Sequence, residues 1–364
     1  MNLYDSFVRP ALFRIDPERV HHLTLAACGS IGRSPIARRL VSAAFETPPD
    51  PRLETTVAGI RFPNPLGLGA GYDKNGEGVD VLSRLGFGFI DVGSVSRQPS
   101  DGNPVRPRLH RLALDEALMV NYGVPNHGAV RVAARLAQRR SAVPVGVTIV
   151  ETNTGRVNDP DDVVSEMAEA AAAFTGVADL LLISTACANV NLGPHPYDDL
   201  DNLRRLLERL ARIDGVPPTF IKIHAAGDDA IERILALAEP FPFVAGFKPS
   251  VVPVRPFGEL RTPAAVLDRL AGTPTSPVLQ KPMMLDGLRQ WHRLVRNSRY
   301  ALMAAGGVRT GEDAYEAIRA GASLVALVTA LVYRGPGLAR RINRELSALL
   351  ERDGFDNVTA AVGA

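Results

Sequence analysis

The sequence predicts an α/β protein, a (β/α)8 barrel of the TIM type with a small N-terminal helical extension. From residue 66 onward, short apolar segments alternate with helical patterns, as in βα units around a parallel sheet. Most of these segments are continuously apolar, as expected for strands that are covered on both faces. Eight such segments favour a closed barrel over an open, doubly wound sheet. They are residues 66–70, 89–93, 145–150, 178–184, 219–223, 243–247, 301–304 and 323–328.

The first 45 residues differ from the rest and predict three short helices. Residues 7–13 are a short amphipathic segment. Asp16-Pro17-Glu18 supplies an N-cap, a proline at the first helical position and an acidic first turn for a helix that reaches about residue 30. Ser34-Pro35 repeats this arrangement. Arginines alternate with Phe and Leu here, which is typical of a segment that lies on a membrane surface, and a helical cap docked on the barrel is the alternative.

These patterns divide the chain into four regions. Residues 1–45 are the N-terminal helical extension, which we expect to be either a membrane-contacting segment or a cap docked on the barrel. Residues 46–58 are a linker and a first barrel-capping strand, and the linker contains the stiff run Thr47-Pro48-Pro49-Asp50-Pro51. Residues 59–350 form the barrel, and residues 351–364 form a C-terminal tail. Within the barrel, residues 200–212 and 310–320 are helical patterns, and Thr310 is a plausible N-cap.

Composition excludes several classes of protein. The 364 residues are 46% hydrophobic and carry a net charge of +2, which fits an ordinary globular protein. The 41 basic and 39 acidic residues are interspersed, so nucleic acid is not predicted as a partner. The two cysteines, Cys28 and Cys187, form neither a disulfide framework nor a zinc motif, and no metal site is predicted. Neither a secretion signal nor a membrane-spanning apolar run is visible, so we expect a cytoplasmic protein, at most peripheral on the inner face of the cell membrane.

In a (β/α)8 barrel the chemistry collects at the carboxyl ends of the strands. Two lysines, Lys74 and Lys222, lie at such ends and indicate an anionic or flavin ligand. Lys248 also follows a strand, and the sequence leaves open whether it belongs to the pocket or to the surface. His21 and His22 are predicted to be solvated surface residues of an N-terminal helix. The other polar or glycine positions at strand ends are Ser94, Thr148, Ser184, Cys187, Ser250, Gly306, Gly307 and Thr329.

Cys187 follows the fourth predicted strand in the run Ser184-Thr185-Ala186-Cys187-Ala188-Asn189. A thiol that leaves a buried strand close to lysines is positioned to act as a general base, because nearby ammonium groups make it more acidic. The alternative for a lone cysteine is a packing role as a small buried apolar residue. We give that packing role to Cys28, which occupies an apolar helix face.

Several longer motifs carry a resemblance to a known family. The stretch from Asn64 to Glu77, NPLGLGAGYDKNGE, resembles dihydroorotate dehydrogenases, specifically the membrane-associated, quinone-linked class. Phe7-Val8-Arg9 and Asp16-Pro17-Glu18 are similar to the start of the N-terminal extension of that class. The resemblance covers nearly the whole chain and continues through Gly86-Phe87-Gly88, Pro107-Arg108-Leu109, Gly306-Gly307-Val308 and Gly321-Ala322-Ser323-Leu324-Val325.

The resemblance implies FMN as cofactor, dihydroorotate as substrate and a quinone as electron acceptor. Lys74 would face both the substrate carboxylate and the flavin, and Lys222 would hold the flavin N1 region. Cys187 takes the position of the base that removes the C5 proton while hydride passes from C6 to flavin N5. The implied substrate contacts are Lys74, Asn126, Ser184, Asn189 and Ser250. The implied cofactor contacts are Ala70, Gly71, Lys74, Ser94, Thr148, Ser184, Lys222, Ser250, Gly306, Gly307, Val328 and Thr329.

Several positions depart from the family pattern. A cysteine stands where the quinone-linked class normally has serine. Two asparagines that read the substrate are replaced, one by Ser184 and the other by Val251, or by Ser250 with a one-residue shift. Each lost amide removes about 1 to 3 kcal/mol per buried substrate group left unpaired. The other replacements are Thr148 for an asparagine that contacts the flavin, and Gln280, Ala304 and Ala330 for glycines on the phosphate side.

Three functions therefore stay open on the sequence. The first is an FMN oxidoreductase that oxidises dihydroorotate and reduces quinone. The second is a flavoenzyme of the same mechanism that acts on a different C–C bond next to a carbonyl, with a related cyclic or open-chain acid as substrate. The third is a non-catalytic descendant that has lost FMN and binds a ligand or partner.

Overall fold

In this computed structural model the described residues are 3–185, 196–224, 227–250, 252–253 and 255–364. Eight parallel strands close into a barrel in the order β10-β12-β13-β3-β4-β7-β8-β9, which confirms the predicted fold class. Each predicted strand segment overlaps one of these strands, and three of the strands end one or two residues later than predicted. The barrel strands are β3 (Leu66–Leu68), β4 (Phe89–Val95), β7 (Val145–Ile149), β8 (Leu180–Ser184), β9 (Thr219–Ile223), β10 (Val244–Pro249), β12 (Ala301–Ala305) and β13 (Leu324–Leu327).

Helices surround the barrel. The predicted N-caps are present: Asp16, Ser34 and Thr310 each accept a hydrogen bond from the backbone N–H three residues further on. The helices are α1 (Arg9–Leu12), α2 (Pro17–Gly32), α3 (Pro35–Phe45), α4 (Val79–Leu82), α5 (Ala129–Leu136), α6 (Pro160–Ala172), α7 (Leu200–Leu210), α8 (Asp228–Ala238), α9 (Ala264–Leu267), α10 (Pro277–Val295), α11 (Gly311–Arg319), α12 (Thr329–Arg334) and α13 (Leu338–Arg352), and a π-helical turn (Tyr4–Val8) precedes α1.

Two smaller sheets flank the barrel. The antiparallel hairpin of β1 (Thr55–Val57) and β2 (Ile60–Phe62) packs Phe62 edge-on against Phe89 at the start of β4 and closes the amino end of the barrel. A three-stranded antiparallel sheet of β5 (Leu109–Leu112), β6 (Ala117–Val120) and β11 (Thr273–Thr275) was not predicted. The four-region division of the chain stays a prediction, although the segment after α13 is packed onto the barrel through a hydrogen bond from Val358 N–H to the Arg52 carbonyl.

The barrel interior has an apolar layer and a polar layer. Because side chains alternate along a strand, the residue two positions after an inward-facing apolar residue also points inward. Phe89, Leu182 and Phe220 belong to the apolar layer. Asp91, Ser184 and Lys222 follow them and form a polar layer toward the carboxyl ends of the strands. This polar layer is the floor of the candidate site.

Candidate active site

A cavity of about 960 Å³ opens at the carboxyl ends of the barrel strands and continues between the N-terminal helices. Its barrel part is bounded by strand ends, and its second part is lined by apolar residues of the helices, among them Leu12, Val20 and Phe45. Every residue for which a cofactor contact was predicted lines this cavity. They are Ala70, Gly71, Lys74, Ser94, Thr148, Ser184, Lys222, Ser250, Gly306, Gly307, Val328 and Thr329.

The predicted substrate residues divide into three groups. Lys74, Ser184 and Ser250 line the cavity. Asn126 is buried, and its side-chain amide is engaged by the protein: it donates to Ser96 Oγ at 2.8 Å and accepts from Gly128 N–H at 2.9 Å. Its contact with a substrate stays a prediction. Cys187 and Asn189 lie outside the described residues, so their roles also stay predictions.

Lys74 is held at the cavity wall by the turn that follows β3. Its ammonium donates to the Gly71 carbonyl at 2.8 Å and lies 4.3 Å from the centre of the Tyr122 ring. The Asp73 carboxylate fixes the turn by accepting backbone N–H groups, including that of Gly78 at 2.7 Å. Burial lowers the pKa of Lys74 to about 8, against the opposing charge of Asp73. The ammonium is therefore a proton-sensitive group close to neutral pH.

Asp91, in β4, is a buried carboxylate beneath the cavity. It accepts a hydrogen bond from Thr148 Oγ1 at 2.8 Å and one from Ala70 N–H at 3.3 Å. Burial raises the pKa of Asp91, and the nearby positive charges of Lys248 and Lys222 oppose that rise. Asp91 was not among the site residues predicted from the sequence. The signal was a charged residue inside the otherwise apolar strand Phe89–Val95.

The strand ends of β12 and β13 form a glycine-lined cradle. Gly306 and Gly307 have φ angles of 96° and 78°, a region that favours glycine. A Cβ on Gly307 would lie 2.6 Å from the backbone of Lys281, so the close approach of α10 requires glycine there. Helix α12 begins at Thr329, which gives the cradle free backbone N–H groups on a second side. The Gln280 side chain borders Gly306 and narrows the cradle.

The prediction that His21 is a solvated surface residue was wrong, because its side chain lines the cavity. Its ring meets the Tyr72 ring edge to face, with the centroids 5.5 Å apart. Burial, helped by the nearby charge of Lys74, lowers the pKa of His21 to about 2, so its imidazole is neutral at physiological pH. His22 is exposed, as predicted. In the described part of the chain, no group of three His, Cys, Asp or Glu residues is arranged to hold a metal ion.

The fold and the cavity together define a (β/α)8-barrel protein with a deep site, lined by lysine and glycine, at the position that barrel enzymes use. Comparison with known proteins agrees. The profile of the family described as Dihydroorotate dehydrogenase matches residues 52–350. The chain belongs to this family, whose members are flavin-dependent oxidoreductases.

Relatives match over the full length of the chain. The chain is 37% identical over 359 residues to a protein of Nocardia farcinica named dihydroorotate dehydrogenase (quinone), covering 97% of this chain and 95% of the relative. It is also 37% identical over 366 residues to a protein of that name from Rhodococcus opacus, covering 100% and 99%. Crystal structures of dihydroorotate dehydrogenase from Eimeria tenella superpose with TM-scores of 0.79 in complex with ferulenol and 0.81 without ligand, at 28% and 27% identity. These superpositions cover 96% of this chain and 95% and 99% of the Eimeria chains.

Proposed function

We propose that this chain oxidises dihydroorotate to orotate with a bound FMN and passes the electrons to a quinone. The observation that carries the proposal is the continuity of the cavity. Its barrel part is lined by three lysines and a glycine cradle, and its second part runs between apolar helices. A polar, anionic substrate suits the first part and an apolar electron acceptor suits the second. The full-length relatives named as quinone-linked dihydroorotate dehydrogenases support the same assignment.

The residues present fit a flavin nucleotide. The cavity is large enough for a tricyclic ring, and a Cβ added to Gly71, which lines it, would meet no protein atom within 4 Å. At the other side, Gly306, Gly307 and the start of α12 present backbone N–H groups, which suit a phosphate. Lys222 supplies positive charge where the electron-rich edge of a reduced flavin would need it.

The reaction removes one proton and one hydride from the substrate. Cys187 would take the C5 proton of dihydroorotate, the role that the family resemblance implies for it, and positive charge close to a thiol favours its thiolate form. A bound flavin would supply the acceptor for the C6 hydride, and the two electrons taken from the substrate, together with two protons, would balance the reduction of one quinone to its quinol. Lys74 would hold the substrate carboxylate as an ion pair, which fixes the ring over the cavity floor.

The second part of the cavity supports quinone as the acceptor. Its walls are apolar side chains from α1, α2 and α3, with the neutral imidazole of His21 at the inner end, close to Lys74. An apolar, ring-shaped molecule can enter there without meeting an unpaired charge from His21. This arrangement gives the acceptor a route that is separate from the polar mouth of the barrel.

The N-terminal helices would contact a membrane, which is where quinones are dissolved. Leu23 on α2 and Ile36 and Leu40 on α3 expose 63%, 71% and 66% of their surface, and α3 also carries Arg38 and Arg39. Apolar side chains beside arginines suit the boundary between lipid tails and anionic headgroups. Among the described residues, no helix has the length and apolar character needed to cross a bilayer. We therefore infer a peripheral protein on the cytoplasmic face of the membrane.

One experiment separates this function from its alternatives. The purified protein is expected to be yellow and to lose its flavin absorption when titrated anaerobically with dihydroorotate. Flavin that ignores dihydroorotate and is bleached by a related acid would favour the enzyme of altered specificity. Colourless protein that cannot be reconstituted with FMN would favour the non-catalytic descendant. Cys187→Ala is expected to slow flavin reduction by at least about 100-fold, with Cys187→Ser less impaired, and unchanged reduction would remove Cys187 from the mechanism.

A further inference from the structure

The chain contains few lysines, and most of them line the central cavity. It contains four lysines against 37 arginines. Three of the four, Lys74, Lys222 and Lys248, line the central cavity. Lysine differs from arginine in carrying a compact ammonium on a flexible stem, which fits a confined space where a planar guanidinium would not. Lys74 and Lys222 have roles in the proposed function, and Lys248 has none so far.

Lys248 lies beside Lys222 in the floor of the cavity. The two residues are paired in register on the neighbouring parallel strands β10 and β9, so their side chains leave the sheet on the same face, and adjacent strands are about 4.8 Å apart. Two residues earlier on the same face of β10, Gly246 is paired with Phe220 of the apolar layer, and a Cβ there would lie 2.1 Å from the Ala301 carbonyl oxygen and 2.6 Å from the Phe220 ring. Lys248 is 8% exposed. Within the described ranges, no carboxylate forms an ion pair with its ammonium.

The charges in the floor do not balance. Asp91 is the buried carboxylate that interacts with both Lys248 and Lys222, and its oxygens already accept hydrogen bonds from Thr148 and Ala70. Among the described residues, Asp91 is the carboxylate whose charge acts on Lys248, and the two side chains do not form a direct ion pair. Burial lowers the pKa of Lys248, the charge of Lys222 adds to that effect, and the charge of Asp91 opposes it. Such a surplus of positive charge favours an occupant that is, or becomes, negatively charged.

We propose that Lys248 is a positioning residue of the cofactor site, whose ammonium raises the reduction potential of the bound flavin. A flavin gains negative charge when it is reduced, and a cation held in a site of low dielectric stabilises the reduced form more than the oxidised form. The inference rests on the proposed function and adds to it a second cation beside Lys222. Lys248 would then set how strongly the bound flavin draws electrons from a substrate.

The test measures the midpoint potential of the bound flavin by equilibration with reference dyes. Lys248→Met removes the charge and keeps the length of the side chain. At a fixed dye potential, the ratio of reduced to oxidised flavin is expected to fall at least about tenfold in this variant. Arg289→Met is the control, because it removes one positive charge from an exposed position on α10 and should leave the ratio unchanged.

The outcomes separate the two proposals. A flavin ratio in Lys248→Met equal to that of the wild type would overturn the role of Lys248 and leave the proposed function intact. A lowered ratio in Lys248→Met, together with a wild-type flavin that dihydroorotate does not reduce, would support the role of Lys248 and overturn dihydroorotate as the substrate. Wild-type protein that binds no flavin would overturn both. Lys248→Gln repeats the measurement with a polar, uncharged side chain, in case the methionine destabilises the floor above Asp91.

Discussion

Glu18 of α2 and Arg108, next to the start of β5, form a buried ion pair that joins the N-terminal helices to the barrel. The two side chains are 7% and 4% exposed. The Arg108 guanidinium also donates to the carbonyls of Asp101 and Asn103, so its other N–H groups are satisfied within the loop that precedes β5. This pair orients the helices that form the apolar part of the cavity.

Replacing Glu18 by alanine is expected to lower the free energy of unfolding by about 3 kcal/mol, because it leaves the Arg108 guanidinium buried without its carboxylate. Denaturant unfolding measures this loss, and hydrogen exchange should show faster opening of α2. The control is Glu54→Ala, which breaks the largely exposed pair with Arg61 and should change stability by only about 0 to 1 kcal/mol. Equal effects of the two substitutions would contradict the anchoring role of Glu18.

The same pair has a defined pH dependence. Burial alone would raise the pKa of Glu18, but the hydrogen bond and charge of Arg108 outweigh it and hold the pKa below its ordinary value of 4.5. A lowered pKa in the folded state contributes stability that is fully present above the unfolded value and is lost as the pH falls through the folded value. The stability gap between wild type and Glu18→Ala should therefore be constant near neutral pH and shrink below about pH 4.

The exposed apolar residues of the N-terminal helices give a direct test of membrane contact. Replacing Leu23, Ile36 and Leu40 together by serine should reduce binding to vesicles that contain anionic phospholipid at least about tenfold, because it removes apolar surface that would enter the lipid. Folding should be unaffected, since all three are exposed. The matched control is the pair Val130→Ser and Val157→Ser, which are 67% and 62% exposed outside the N-terminal helices. Vesicle sedimentation in which both variants bind like the wild type would rule out this contact surface.

Gly307 tests whether the glycine cradle holds the cofactor. Gly307→Ala combines a positive φ with a Cβ that would collide with the backbone of Lys281, so β12 and α10 must separate. We expect the purified variant to retain less than about a tenth of the wild-type flavin content, because the backbone donors of the cradle are displaced. Gly59→Ala is the matched control, since φ is 79° there but no atom lies within 4 Å of the added Cβ. It should destabilise the chain by about 1 kcal/mol and keep its flavin. Full flavin content in Gly307→Ala would show that this cradle is not needed.

Local patterns were sufficient for the barrel and insufficient for the surfaces that dock onto it. Barrel strands are buried on both faces, so each is visible as a continuous apolar segment. The sheet of β5, β6 and β11 was missed because β6 pairs with a strand about 150 residues later, as Leu118 with Thr275, and no local pattern encodes such a pairing. His21 was misplaced for a similar reason. Whether a helix face is buried depends on what packs against it, and here that partner is Tyr72, beyond the linker.

In the candidate site, too, local sequence patterns predicted some residues and not others. The twelve residues predicted as cofactor contacts all line the cavity, because the carboxyl ends of parallel strands converge on one mouth. Lys248 was ambiguous because β10 has an irregularity between Val244 and Gly246, which shifts its register against β9. A shift of one residue reverses which side chains face inward, so the sequence could not decide the direction of Lys248. The register with Lys222 decides it.

The lowered pKa of Lys74 predicts how the binding of orotate, the product, depends on pH. Its ammonium would pair with the carboxylate of orotate, and burial lowers its pKa in the ligand-free protein to about 8. A lowered lysine pKa means that the charged form prevails below that value and is lost above it, so the affinity for an anion should be constant from about pH 6 to 7.5. Above about pH 8, the Kd for orotate should rise by up to about tenfold per pH unit. Flavin absorbance changes on orotate binding measure this without turnover.

Two neighbours of Lys74, His21 and Tyr122, do not change their charge in this pH range. Burial holds the pKa of His21 at about 2, so its imidazole stays neutral throughout, and burial raises the pKa of Tyr122 well above its ordinary value, so its hydroxyl stays protonated. Lys74→Gln is the control, because it keeps a hydrogen-bond donor and loses the titration. It should bind orotate more weakly and with little pH dependence between pH 7 and 9.5. A wild-type Kd that is constant up to pH 9.5 would mean that Lys74 does not hold the carboxylate, since no other group assigned to the substrate carries a positive charge that is lost in this range.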